Sequence, residues 1–154
     1  MSVFTFQATV HPDWIDYNGH MRDAYYGLVF SMASDAFLDS IGVTADYRAT
    51  TGGTVYLVEC HTFYLAEVKI DAPLVVEARV LDVDSKRFVV HMTMLSDGKV
   101  RAVNERMELH VNQHPEPRAE ALPDDIRATL DALKLDTGEI AALPQRARKL
   151  GFGA

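Results

Sequence analysis

Asp16-Tyr17-Asn18-Gly19-His20-Met21 runs directly into Arg22-Asp23-Ala24-Tyr25-Tyr26 and then into a long apolar stretch. From about Arg22 to Ile41 the chain reads as one helix, stopped by Gly42. Tyr26, Phe30, Ala33, Phe37 and Ile41 fall at helical spacing on one face, and Leu28, Val29, Met32, Ala36 and Leu38 widen it. A helix so apolar all round is expected to be wrapped by other structure. Just ahead of it lie a carboxylate, a glycine turn and a histidine. That places an acid beside a helix N-terminus, whose free backbone N–H groups stabilise developing negative charge. Such a layout suits acyl transfer, with the acid as base or nucleophile and the helix end as oxyanion hole.

The wrapping elements read as strands. Phe4, Phe6, Ala8 and Val10 alternate with polar residues until His11-Pro12. After a loop over residues 43–53, a strand runs from Thr54 to about Ala66. Pro73 opens the next, with Leu74, Val76, Ala78 and Val80 on one face. Arg87 to Leu95 follows, with Phe88, Val90, Met92 and Met94 on one face, and Asp97-Gly98 is a hairpin signal. The last strand groups Val103, Met107, Leu109 and Val111, with Glu105 among them. One strand, one helix and four mostly hairpin-linked strands give an α+β fold with a curved, antiparallel, five-stranded sheet. His114-Pro115-Glu116-Pro117 reads as extended linker, so residues 1–117 form the domain and residues 118–154 a C-terminal helical extension. Its helices are expected from Pro123 to Leu133 and from Thr137 to Leu143, before a mobile basic end.

At 154 residues the chain fits one domain with a sizeable core. A net charge of −7 argues against nucleic acid and anionic membranes as partners. The helix carries Ser31, Ser34, Asp35 and Asp39, a poor membrane span. Met1-Ser2-Val3-Phe4 has no signal-peptide character. Cys60 is the sole cysteine, so no intrachain disulfide forms and a cytoplasmic setting fits; a buried thiol is expected. The six histidines show no compact ligand spacing, so no metal is expected.

With these elements in place, the chain resembles the hotdog-fold thioesterases of the 4-hydroxybenzoyl-CoA thioesterase type. Asp16, Gly19, His20 and Tyr26 match that family's loop motif before the central helix, and the likeness spans Val3 to Pro117. Within the family the stretch Asp16 to Tyr26 and the later Tyr64-Leu65-Ala66-Glu67-Val68 look like thioesterases of carnitine breakdown. The resemblance implies an acyl-CoA thioesterase, with betainyl-CoA as substrate and coenzyme A as product. It implies no redox or metal cofactor, and a homodimer or homotetramer with the pantetheine arm between subunits. A thioesterase for other short-chain or aromatic acyl groups, or a non-catalytic acyl-CoA-binding module, are the alternatives. Where many members carry Asn-Asn, this chain has Arg22-Asp23.

The resemblance makes Asp16 the catalytic acid, as base or nucleophile; the residues alone equally allow a turn cap. Backbone N–H groups of Arg22, Asp23 and Ala24 are the expected oxyanion donors. Asn18, Gly19 and His20 are expected to shape the turn or touch substrate, and Tyr26 to line the acyl pocket. Trp14, Tyr17 and Tyr25, with Phe63 and Tyr64, offer faces for a trimethylammonium group, and Glu59 a balancing charge. Ordinary packing is the competing reading for each aromatic. Asp35 and Asp39 are rival acids, and Arg118, Arg146, Arg148 and Lys149 are candidates for the phosphates of coenzyme A.

Overall fold

Eighteen residues of α1 (Asp23–Ser40) lie against one face of an antiparallel sheet in the computed structural model, which describes residues 3–152. Met1, Ser2, Gly153 and Ala154, the ends of the two expected segments, lie outside the described residues. The strands are β1 (Phe4–Thr9), β2 (Gly53–Tyr64), β3 (Pro73–Val83), β4 (Arg87–Ser96), β5 (Lys99–Asn112) and β6 (Arg118–Ala119). Their order is β1-β3-β4-β5-β2, with the two-residue β6 on β5. The five expected strands are all present; β6 is an addition at the start of what reads as the helical extension. β3–β4 and β4–β5 are hairpins, the second turning at Asp97-Gly98 with φ of 52° and 72°. β2 and β3, expected in series, lie apart: β2 pairs with β5, and β3 with β1.

Alternation dictates which faces are buried. Leu74, Val76, Ala78 and Val80 of β3 and Phe88, Val90, Met92 and Met94 of β4 share a core with Tyr26, Phe30, Ala33, Phe37 and Ile41. α1 is not covered all round, however: Ala24, Leu28, Ser31, Asp35 and Asp39 form an exposed stripe. The rival acids Asp35 and Asp39 therefore face out. β2 is a sheet edge with Tyr56, Leu57 and Val58 exposed, and a bulge between Leu57 and Glu59. Cys60 on this strand is exposed, not buried.

β5 departs most from its sequence pattern. Arg106 lies opposite Val90 and Glu108 opposite Phe88, so Asn104, Arg106, Glu108 and His110 face α1. All four are buried. Arg106 Nε donates to Glu108 Oε1 at 2.7 Å, and Ser34 Oγ donates to the same oxygen at 3.0 Å. Arg106 Nη1 donates to the Phe30 carbonyl at 3.2 Å. Buried charges persist only when paired and hydrogen-bonded, and here both conditions hold. His110 Nδ1 donates to the Glu120 carbonyl at 3.0 Å, so Nε2 accepts from the Tyr47 hydroxyl at 2.8 Å.

Tyr47 belongs to α2 (Ala45–Thr51), where the sequence suggests loop. Thr44 caps its start by accepting from the Tyr47 N–H, and Gly52 ends it at φ 74°.

The C-terminal segment shares the core. Leu122, together with Ile126 and Leu130 of α3 (Asp124–Leu133), is buried within the same cluster. Leu130→Ala is expected to cost about 2–5 kcal/mol in a urea titration; a loss well below that range would make α3 an ornament. After α4 (Thr137–Ala141) the chain crosses the outer face of β4 and β5. His91 Nε2 donates to the carbonyls of Pro144 and Gln145, at 3.1 and 2.8 Å. Arg146 pairs with Glu105 at 2.8 and 3.0 Å, and the Ala147 N–H adds a bond at 3.0 Å. The basic end is thus tied down at Arg146, where the sequence suggests mobility.

Burial alone would raise the Glu105 carboxyl, but the bonds from Arg146 and Ala147 outweigh it and hold it below the usual range. A carboxyl depressed on folding contributes stability above its unfolded pKa, which is lost as pH falls through the folded value. The stability gap between wild type and Arg146→Ala is therefore expected to shrink as urea titrations move from neutral pH into the acid range. A gap independent of pH would remove the charge from this account.

Candidate active site

The loop ahead of α1 is a tight turn built by Asp16. Its N–H donates to the His20 carbonyl at 2.9 Å, and the Gly19 N–H returns to the Asp16 carbonyl at 3.0 Å. Gly19 sits at φ 80°, a conformation that glycine adopts without strain. Asp16 Oδ1 accepts from the N–H groups of Asn18 and His20, at 2.8 and 3.4 Å. Among the described residues, Oδ2 accepts no hydrogen bond. The two readings of Asp16 are compatible: one oxygen holds the turn, and the other is available for chemistry.

The loop is pinned at its exit. Met21 N–H donates to the Val68 carbonyl at 2.7 Å, and Arg22 N–H to the Trp14 carbonyl at 2.8 Å. α1 starts without a side-chain cap on Arg22. Of the three expected oxyanion donors, the Arg22 N–H is therefore occupied. The Ala24 N–H is occupied too, by Asp23 Oδ1 at 2.9 Å. The Asp23 N–H has no partner among the described residues. It is the one open donor, and it carries the positive end of the helix dipole.

Asp16 and Asp23 line one open cleft of about 520 Å³, with Tyr26, Tyr64 and Glu67. Tyr17, His20 and Arg22 line it as well. Tyr26 is buried and donates to the Ala66 carbonyl at 3.4 Å; burial pushes its hydroxyl pKa up. Tyr64 meets it edge-on at 5.2 Å between ring centres, and its hydroxyl donates to the Asp23 carbonyl at 3.4 Å. Burial and the nearby Asp23 charge both push the Tyr64 hydroxyl up. His20 Nε2 lies 3.7 Å from Glu67 Oε1, so its ring is turned to Glu67 and not to Asp16.

Other expected residues lie elsewhere. Trp14 stacks on Tyr25 at 5.7 Å between ring centres, and neither lines the cleft. Asn18 and Gly19 belong to the turn, and Phe63 to β2, without lining it. Glu59 pairs with His61 at 3.2 Å, in a separate depression with Met107 and Ala147. Arg118 is paired with Glu120, and Arg146 with Glu105. Glu67 and the Asp23 carboxylate are cleft members that the sequence reading did not single out. Their sequence signals are the Arg22-Asp23 departure from the family's Asn-Asn and the place of Glu67 in the stretch Tyr64-Leu65-Ala66-Glu67-Val68.

Comparison with known proteins agrees with this geometry. The model of the thioesterase-like superfamily matches residues 10–130. The betainyl-CoA thioesterase of Pseudomonas aeruginosa is 38% identical over 131 residues, which cover 84% of this chain and 82% of that protein. The L-carnitine dehydrogenase/betainyl-CoA thioesterase of Agrobacterium fabrum is 43% identical over 142 residues, 92% of this chain but 28% of that longer protein. A Staphylococcus aureus protein solved in complex with CoA superposes with a TM-score of 0.87 at 28% identity, covering 99% of this chain and 96% of its own. Hotdog architecture, an acid at the start of the central helix and matches over most of the chain place this protein in the thioesterase-like superfamily.

Proposed function

We propose that this chain hydrolyses betainyl-CoA to betaine and coenzyme A, a step in carnitine breakdown. One observation carries the chemistry: Asp16, whose Oδ2 accepts no hydrogen bond among the described residues, and Asp23, whose N–H has no partner among them, line the same cleft. With the thioester carbonyl oxygen on the Asp23 N–H, Asp16 either takes a proton from an attacking water or attacks the carbonyl itself. In both routes the C–S bond breaks and the thiolate of coenzyme A leaves, to be protonated. The direct route passes through an acyl–Asp16 anhydride that water then opens. Two results mark the nucleophile: ¹⁸O from labelled water in the Asp16 carboxylate after a single turnover, or capture of the acyl–Asp16 anhydride by hydroxylamine.

The substrate assignment draws on the two betainyl-CoA thioesterase relatives. Thiol release from betainyl-, acetyl-, butyryl- and benzoyl-CoA tests it. Preference for betainyl-CoA supports the assignment. Preference for a neutral acyl group keeps the thioesterase and discards the cation. Binding without thiol release from any of them leaves an acyl-CoA-binding module.

The assembly we propose is a homodimer or homotetramer, with the pantetheine arm between subunits. The unpaired β2 edge and the exposed stripe of α1 support it, because such an edge recruits a further strand unless it is covered. Sedimentation equilibrium is expected to give at least twice the chain mass, and a monomer at micromolar concentration would discard it. A reducing cytoplasm would keep the exposed Cys60 as a thiol. No single described helix is long and apolar enough to cross a membrane.

A further inference from the structure

We propose that the Asp23 carboxylate, with the Tyr64 ring beside it, selects acyl groups bearing a quaternary ammonium on the carbon next to the thioester carbonyl. The inference rests on the betainyl-CoA reading and assigns it a residue. Its basis is distance. In a trimethylammonioacetyl group the nitrogen is two bonds from the carbonyl carbon, about 2.5 Å away. A charge that recognises it must therefore sit beside the oxyanion hole and not at the far end of a pocket. The open oxyanion donor is the backbone N–H of Asp23, and the nearest carboxylate along the chain is that residue's own.

The other carboxylates of the cleft have different employment. Asp16 holds its turn with one oxygen, and the other is the base or nucleophile of the proposed reaction. Glu67 is turned to His20. Asp23 spends Oδ1 on the Ala24 N–H, and its Oδ2 has no partner among the described residues. Arg22 is the cleft's fixed cation, so the lining as a whole is acidic. Tyr64 is anchored by its hydroxyl on the Asp23 carbonyl and by Tyr26 against its ring, yet it stays 55% exposed. A trimethylammonium group donates no conventional hydrogen bond, so charge and aromatic surface are what can hold it.

The same carboxylate works against neutral substrates. Hydrolysis places negative charge at the Asp23 N–H, and a fixed anion one side chain away repels it. A cationic acyl group cancels that repulsion from within the substrate. Selection therefore acts in the transition state, and it should appear in kcat/KM.

The test compares betainyl-CoA with 3,3-dimethylbutyryl-CoA, in which carbon replaces nitrogen at the same shape. In Asp23→Asn and Asp23→Ser, both of which keep an oxygen near the Ala24 N–H, the kcat/KM preference for betainyl-CoA is expected to fall by about tenfold or more at low salt. Tyr64→Leu is expected to lower it by about threefold or more. Circular dichroism and Tm confirm that each variant is folded. A wild type that prefers the neutral isostere overturns the betainyl-CoA reading itself. A wild type that prefers betainyl-CoA, with both Asp23 variants losing activity equally on the two esters, overturns the Asp23 assignment alone.

Discussion

Asp16→Asn is expected to lower kcat for thioester hydrolysis by about 10²–10⁴, with KM changed far less. The substitution is discriminating because asparagine keeps the oxygen that accepts from the Asn18 and His20 N–H groups. The turn should therefore survive, and only the unpartnered oxygen loses its basicity. If Asp16 merely shaped the loop, Asn would be nearly silent. Thiol release under saturating substrate reads the effect directly. An Asn variant within a few-fold of wild type would move the chemistry to another group, with Asp23 and Glu67 the remaining acids in the cleft. An unchanged Tm is the control, since Asp16 is half-buried and outside the core cluster.

The second large effect concerns the charges beneath α1. Removing one partner, as Glu108→Gln or Arg106→Met, is expected to cost about 3–5 kcal/mol, because the other charge stays buried without its counter-charge. The double variant Arg106→Met with Glu108→Leu should recover much of that loss, since apolar groups of similar volume need no partner. Urea titrations of the three variants form the check. Single variants that cost no more than the double would mean that water reaches the site. Glu108→Gln keeps an oxygen that can accept from the Ser34 hydroxyl, whereas Glu108→Leu in the double variant removes that acceptor, so the recovery is expected to be incomplete.

The elements legible in the sequence are those with one periodic, apolar face. α1, β3 and β4 each bury the residues that their spacing selects. β5 misled because both its faces are covered. α1 lies over the charged residues, and the Pro144–Ala147 strap lies over Glu105, so alternation marks no outside. Hydropathy assumes that a face turned to the core is apolar, and the Arg106–Glu108 pair breaks that assumption with satisfied hydrogen bonds. α2 is two turns of mostly polar residues, with too few core contacts to leave a period. In the candidate site the turn and the helix start were readable, because both are local. Glu67 joins them through tertiary contacts, among them the bond from the Met21 N–H to the Val68 carbonyl and that from the Tyr26 hydroxyl to the Ala66 carbonyl, which local spacing does not reveal. Which helix-end N–H stays open was equally hidden, since the Trp14 carbonyl and the Asp23 side chain decide it.

The strand order also has a consequence for synthesis on the ribosome. β2 pairs with β5, not with its sequence neighbour β3. Thr54-Val55-Tyr56-Leu57-Val58 is a β-branched and aromatic run with no charge, and its partner residues lie between Glu108 and Val111. The nascent chain therefore carries this run unpaired while β3, β4 and much of β5 are still being made. Segments of that composition associate between chains when left open. Glu59, directly after the run, is placed as a charged gatekeeper for that interval. A chain stalled before β5 would expose both long sides of β2, a ready substrate for chaperone or protease.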